Sequence, residues 1–206
     1  MKRKIIYILI AVFAIIIGLY PSIYFIIDRQ FGLLSTKPIL LLSNLTWNIA
    51  FYMHIILGGL ALLIGWTQFN TNWRLKYIKL HRKVGSIYII AVILSAVAGF
   101  YIAFFATGGM ISVLGFMCLA IIWLMSTMLA FVYIKNKEIE KHKRMMIFSY
   151  AACFAAVTLR LWLPILRFMC NDFKTAYRIV SWLCWVPNIM VAIIITNFNK
   201  QLIESK

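Results

Sequence analysis

Residues 84–134 read VGSIYIIAVILSAVAGFYIAFFATGGMISVLGFMCLAIIWLMSTMLAFVYI, two apolar runs on either side of Thr107-Gly108-Gly109-Met110. Each run is long enough to cross the hydrocarbon core of a bilayer, which takes about 20 residues of helix. A connection this short makes the two helices antiparallel neighbours. Four further runs of the same kind extend the pattern, and the spans are expected near 5-27, 48-69, 84-106, 111-134, 145-168 and 178-198. The chain therefore reads as an all-α polytopic membrane protein, with six transmembrane helices in a single integral membrane domain over 1-206.

The spans differ in character. The first has no polar residue between Ile8 and Gly18, and the sixth is polar mainly near its ends, so both are expected to face lipid. The second to fifth carry the small and polar residues that helix interfaces in lipid prefer, and are expected to form a central four-helix bundle. Neither an internal repeat nor an inverted pair of broken helices, the mark of many secondary transporters, is visible.

Composition excludes several classes of function. Hydrophobic residues make up 64% of the 206 and charged residues 13%, too apolar for a soluble domain. The loops leave no room for an extramembrane catalytic domain, so any site is built from the helices and their ends. A Walker loop, a nucleophile elbow and paired carboxylates are all absent from the sequence. The four cysteines lack CxxC spacing; Cys118 and Cys153 read as small core residues, whereas Cys170 and Cys184 approach one outer face.

A net charge of +16 raises nucleic acid as a partner, but the distribution points to lipid. Fifteen of the 21 Lys and Arg residues fall on one side: Lys2, Arg3 and Lys4; Arg74, Lys76, Lys79, Arg82 and Lys83; Lys135, Lys137, Lys141, Lys143 and Arg144; Lys200 and Lys206. Arg29, Lys37, Arg167, Lys174 and Arg178 fall on the other, and Arg160 alone lies within a span. The positive-inside rule then puts the N- and C-termini in the cytoplasm, with the basic clusters against anionic lipid headgroups. The first segment opens like a signal peptide, but its apolar run is too long and Tyr20-Pro21-Ser22 is a poor cleavage site, so it reads as an uncleaved helix.

Ionisable groups are costly in lipid, which singles out His54, His81, His142 and Arg160. On the second span His54, Gly58, Ala61, Gly65 and Gln68 share one face, at steps of four, three, four and three. That face suits a close-packed helix, with His54 bonded to a carbonyl or hydroxyl, and it equally suits a flat cofactor ring. The third span opens with His81-Arg82-Lys83-x-Gly85-x-x-Tyr88 and continues through Ser95 and Gly99. The fifth presents His142, Ser149, Cys153, Ala156 and Arg160 on one stripe, its ends about 27 Å apart along the helix.

By depth, His54 and Arg160 are expected at a similar outer level, where they would share a polar pocket. The bland alternative has Arg160 snorkelling outward to phosphates. His81 and His142 both meet the cytoplasmic boundary, where two histidines on facing helices supply the axial bonds of a b-type haem. Arg82, Lys83, Lys143 or Arg144 would take its propionates. The competing reading makes both histidines interfacial side chains in basic loops. Trp47, Trp66, Trp73, Trp182 and Trp185 read as interface anchors, while Trp123 is deeper, close to Thr127.

At these residues the chain resembles a domain-of-unknown-function family of uncharacterised bacterial multi-pass inner-membrane proteins. The resemblance covers about residues 50 to 165. It rests on His54-x-x-x-Gly58, Gln68-Phe69, Arg74 and His81-Arg82-x-x-Gly85-x-x-Tyr88, then on Gly99, Gly115-Phe116, Trp123, Thr127, His142-Lys143-Arg144-Met145-Met146 and Ala156-Val157-Thr158-Leu159-Arg160. The family pattern carries tryptophan where this chain has Met145. It implies the fold and a bacterial inner-membrane location, not a reaction. In layout the chain is also similar to six-span b561-type cytochromes, where His81 and His142 would match one haem pair; the fourth span offers no histidine to complete a second with His54.

The leading expectation is a membrane electron-transfer protein that binds haem b or quinone and meets a membrane redox partner. His81 and His142 would ligate the haem iron, and His54 with Arg160 would form a second polar site. The runner-up is a small permease or a non-enzymatic partner subunit of a membrane complex.

Overall fold

The computed structural model describes residues 2–27 and 32–204. Arg29 and Lys206, and the side chains of Lys2, Arg3 and Lys200, which enter the charge tally, lie outside the described residues. Among the described residues six helical segments are long and apolar enough to cross a membrane: Lys4–Ile26, Leu45–Phe69, Ile78–Ala103, Met110–Lys135, Ile139–Cys170 and Phe173–Phe198. The third and fifth begin well before their apolar runs, because the basic turns around His81 and His142 are helical too.

The chain divides into two compact units, Met1–Thr107 and Gly108–Lys206. In the first, α1 (Lys2–Leu19) ends where Pro21 enters a 3-10 turn, Tyr20–Ser22, and α2 (Ile23–Ile26) completes the span. A 3-10 turn at Gly32–Thr36 and α3 (Ile39–Leu42) lead to α4 (Leu45–Gly65). The Asn44 side chain caps α4 by accepting from Trp47 N at 2.9 Å. A 3-10 turn, Trp66–Phe69, and the short α5 (Thr71–Lys76) then deliver the chain to α6 (Ile78–Ala103).

α6 and α1 both pack on α4. At the α1 contact a Cβ on Gly59 would sit 2.7 Å from Gly18 O, so the two backbones touch, as small residues allow between helices in lipid. Beyond that crossing Tyr24, Leu34, Trp47 and Phe51 form a buried cluster in which Trp47 and Phe51 stack at 5.2 Å. Trp47, expected as an interface anchor, is thus 2% exposed and part of this core. The incoming loop is tied down by Lys37, whose ammonium donates to Phe105 O and, at 3.1 Å, to Thr107 Oγ1. Burial pushes the Lys37 ammonium down to about 8.

In the second unit α7 (Met110–Lys135) packs on α8 (Ile139–Cys153), followed by α9 (Ala155–Cys170), α10 (Phe173–Leu183) and α11 (Val186–Glu204). Gly108 and Gly109 precede α7 with φ of 108° and 74°, the left-handed region that glycine enters without strain. Thr127 and Ser149, both fully buried, join α7 to α8 through their hydroxyls at 2.7 Å. α10 lies on α7 where a Cβ on Gly115 would come within 2.8 Å of Ser181 O. Asp172 caps α10, accepting from Thr175 N at 2.9 Å and from its hydroxyl at 2.7 Å, which holds the carboxyl below its usual range. Trp185, another expected anchor, is buried and donates to Ser181 O at 2.9 Å. All four cysteines are free thiols, Cys170 and Cys184 included.

No broken pair of helices is visible in the sequence, yet two adjacent spans of this unit are interrupted. The sixth breaks at Cys184–Trp185, between α10 and α11, where Pro187 in the first turn of α11 denies the Leu183 carbonyl its N–H. The fifth breaks at Phe154, between α8 and α9. Asn188 spans both breaks, its amide donating to Ala151 O at 3.3 Å, to Cys184 O at 3.0 Å and to Thr158 Oγ1 at 3.2 Å.

Two outcomes follow. Gly59→Ala forces α1 off α4 and is expected to cost about 1–3 kcal/mol, as overpacking does, read as a lower melting temperature in detergent. For Lys37 the folded state binds its proton less tightly than the unfolded chain. Between about pH 8 and the ordinary lysine value of 10.5 the unfolded state therefore carries more protons, and stability rises with pH. Melts across that window should show the slope in the native chain and lose it in Lys37→Met.

Candidate functional site

α4 and α6 meet at His54. The stripe on α6 that carries Ser95 and Gly99 turns inward, with Ser95 wholly buried, and the Nδ1–Cε1 edge of the His54 ring lies against it. His54 Nδ1 is 2.9 Å from Ser95 O and 3.2 Å from Ser95 Oγ, while Ser95 Oγ donates to His54 O at 2.9 Å. A carbonyl only accepts, and the serine proton is spent on His54 O, so Nδ1 carries the hydrogen. Nε2 is then the nitrogen with the lone pair. Gly99 makes room for the ring, since a Cβ there would lie 2.7 Å from Nδ1.

In the second unit the same arrangement recurs. His142, in the first turns of α8, has Nδ1 2.8 Å from Ala130 O on α7, which again fixes the proton on Nδ1 and the lone pair on Nε2. Further along the fifth span the half-buried Arg160 donates from its guanidinium to Ala156 O at 2.9 Å. Pro164 sits one turn on, inside α9, and leaves the Arg160 carbonyl without its helical N–H. Thr158 donates to Cys184 O, placing Arg160 one turn from the interrupted stretch.

A third polar group gathers at the other end of α4. Asn70 caps α5 by accepting from Trp73 N at 3.1 Å, and α5 is so short that Arg74, Tyr77 and His81 come to one notch with Thr67 and Gln68. The notch encloses about 30 Å³, and Trp73, Leu80 and Val84 complete its wall. Thr67 donates to Ile64 O at 2.6 Å, so it accepts from Gln68 Nε2 at 3.1 Å. This fixes the amide: Gln68 Oε1 is buried without a hydrogen bond, over Gly85, where a Cβ would lie 3.7 Å away.

His54 and His81 belong to the first unit, and His142 and Arg160 to the second. His54 is bound to Ser95 and Gly99, and His81 lines the notch with Gln68 and Arg74. The notch and the interrupted spans went unread in the sequence, although Pro187 signals one break and the Asn70 cap signals α5. Among the described residues no group of three or more His, Cys, Asp or Glu could hold a metal ion.

Removing the serine clasp tests how firmly the ring is held. Ser95→Ala keeps the carbonyl bond and should cost about 0.6 kcal/mol, the average for an interhelical side-chain bond in lipid. Gly99→Ala, which drives a methyl into the imidazole, should cost more, and a melt ranking the two the other way would contradict the clasp.

No curated protein and no solved structure matches the chain. The family model of the predicted membrane proteins designated DUF2306 matches residues 51–196, which takes in His54, the notch, His142, Arg160 and both interruptions. The chain belongs to the DUF2306 family of membrane proteins.

Proposed function

We propose that this is a membrane electron-transfer protein of the bacterial inner membrane, with both termini cytoplasmic, that holds haem b or a quinone among its helices. One observation carries the reading: His54 and His142 each give Nδ1–H to a carbonyl of the adjacent span, at 2.9 and 2.8 Å. Metal-ligating imidazoles take this form, with the Nδ1 bond orienting the ring and Nε2 meeting the metal. Of the two, His142 is the ligand proposed for the haem iron; His81, the third imidazole, lines the notch of the first unit. A bound haem supplies one-electron chemistry. The second unit would contribute the His142 imidazole, the basic side chains Lys143 and Arg144 for carboxylates, and the buried Trp123 indole, whose N–H has no hydrogen bond among the described residues.

The interrupted fifth and sixth spans favour a second reading, a small permease. Broken helices frame substrate sites in many transporters, and the half-buried Arg160 of the fifth span would receive an anion.

A reduced-minus-oxidised spectrum of the detergent-purified protein separates the two. The first reading expects a Soret and α-band that His142→Ala reduces to baseline, or quinone on solvent extraction. Arg160→Gln should leave the chromophore intact. A colourless, quinone-free preparation whose proteoliposomes take up an anion, and lose that uptake in Arg160→Gln, would replace it with the permease.

A further inference from the structure

We propose that the notch lined by Gln68, Arg74 and His81 binds a phosphodiester headgroup that carries a hydrogen-bond donor beside its phosphate, a hydroxyl or an ammonium. The size of the notch comes first. Pockets that enclose a flat organic cofactor run to about 300 Å³ or more, whereas this one holds about 30 Å³, so it takes the tip of a headgroup and not a ring.

Charge comes next. The notch is lined by Arg74, and Lys76, Lys79, Arg82 and Lys83 stand exposed around it. From residue 29 to residue 137 the sequence contains no Asp or Glu. The local chain supplies no carboxylate to neutralise this edge, and a phosphate is the anion a membrane surface offers. Arg74 meets such an anion with a fork of N–H donors.

Gln68 then narrows the ligand. Its Nε2 is committed to Thr67, so Oε1, buried and without a hydrogen bond, presents an acceptor that a phosphate oxygen cannot answer. Leaving such an acceptor empty is costly, and a donor adjacent to the phosphate fills it. Exposed rings of Trp73 and Tyr77 flank the entrance, the residues that settle at the headgroup level. Phosphatidylglycerol and phosphatidylethanolamine carry phosphate and donor together; phosphatidylcholine carries the phosphate alone. The site does not depend on the redox reading.

The test is lipid retention by the intact protein in native mass spectrometry, with short-chain phosphatidylglycerol, phosphatidylethanolamine and phosphatidylcholine as probes. The native chain should retain either donor-bearing lipid about tenfold over phosphatidylcholine, the worth of one hydrogen bond. Arg74→Gln should lose all three, and Gln68→Leu should keep the phosphate but lose the preference. Gly85→Ser, which sets a hydroxyl over Oε1 without deleting any group, should also erase the preference and covers the case in which Gln68→Leu fails to fold. Competition by free glycerophosphoethanolamine, a soluble phosphodiester with the same donor, would assign the site to a soluble ester, and its failure to compete to the lipid; both keep the chemistry. Equal retention of phosphatidylcholine, or a preference that survives Gly85→Ser, would overturn it.

Discussion

A hydrocarbon core offers no water to a stranded N–H, C=O or hydroxyl, so each polar group in a span must be answered from within the protein. Several of the buried hydroxyls and amides here meet that demand across helices. Ser95 and His54 answer one another across α4 and α6; Thr127 and Ser149 do so across α7 and α8. Where Pro187 interrupts a helix, Asn188 is placed to take up the carbonyl that is exposed at Cys184. Each interhelical bond contributes only about 0.6 kcal/mol in lipid, less than the contact it accompanies. Their value lies in direction: a hydroxyl that must reach one particular carbonyl selects one rotation of one helix.

Small residues set how close that rotation can bring the backbones. Gly59 against Gly18, Gly99 against the His54 ring and Gly115 against Ser181 occupy the places where a methyl would collide. Glycine costs a helix roughly 1 kcal/mol relative to alanine, so these positions trade helix propensity for proximity. At Gly99 the proximity also brings the imidazole to the Ser95 carbonyl that fixes its proton.

The membrane class and the number of spans were legible because bilayer thickness writes itself directly into the length of an apolar run. The faces were legible too: His54 with its glycines, and Ser95 with Gly99, follow from helical periodicity. Their meeting was not, since periodicity says which residues share a face but not which face opposes it. Pro187 announces the break in the sixth span. The break at Phe154 has no such marker; its freed carbonyl at Ala151 is answered by Asn188, 37 residues away. The notch was hidden for a similar reason, because it needs a 3-10 turn and a short helix to bring Gln68 and His81 together.

The imidazole geometry also bears on what His54 and His142 can do. A histidine that relays a proton through its ring must take it on one nitrogen and release it from the other. Releasing it from Nδ1 here would set a bare lone pair against the lone pairs of Ser95 O or Ala130 O, at 2.9 and 2.8 Å. That state is disfavoured in a medium of low dielectric, where an unanswered polar contact is most costly. Both rings are thus confined to chemistry at Nε2, which can accept a proton or a metal and hand the same one back. A proton-coupled permease needs passage from one side of the ring to the other, whereas a cofactor ligand needs one nitrogen held still. For this reason the pinned imidazoles weigh toward the cofactor and against a relay, even beside the interrupted helices that favour transport.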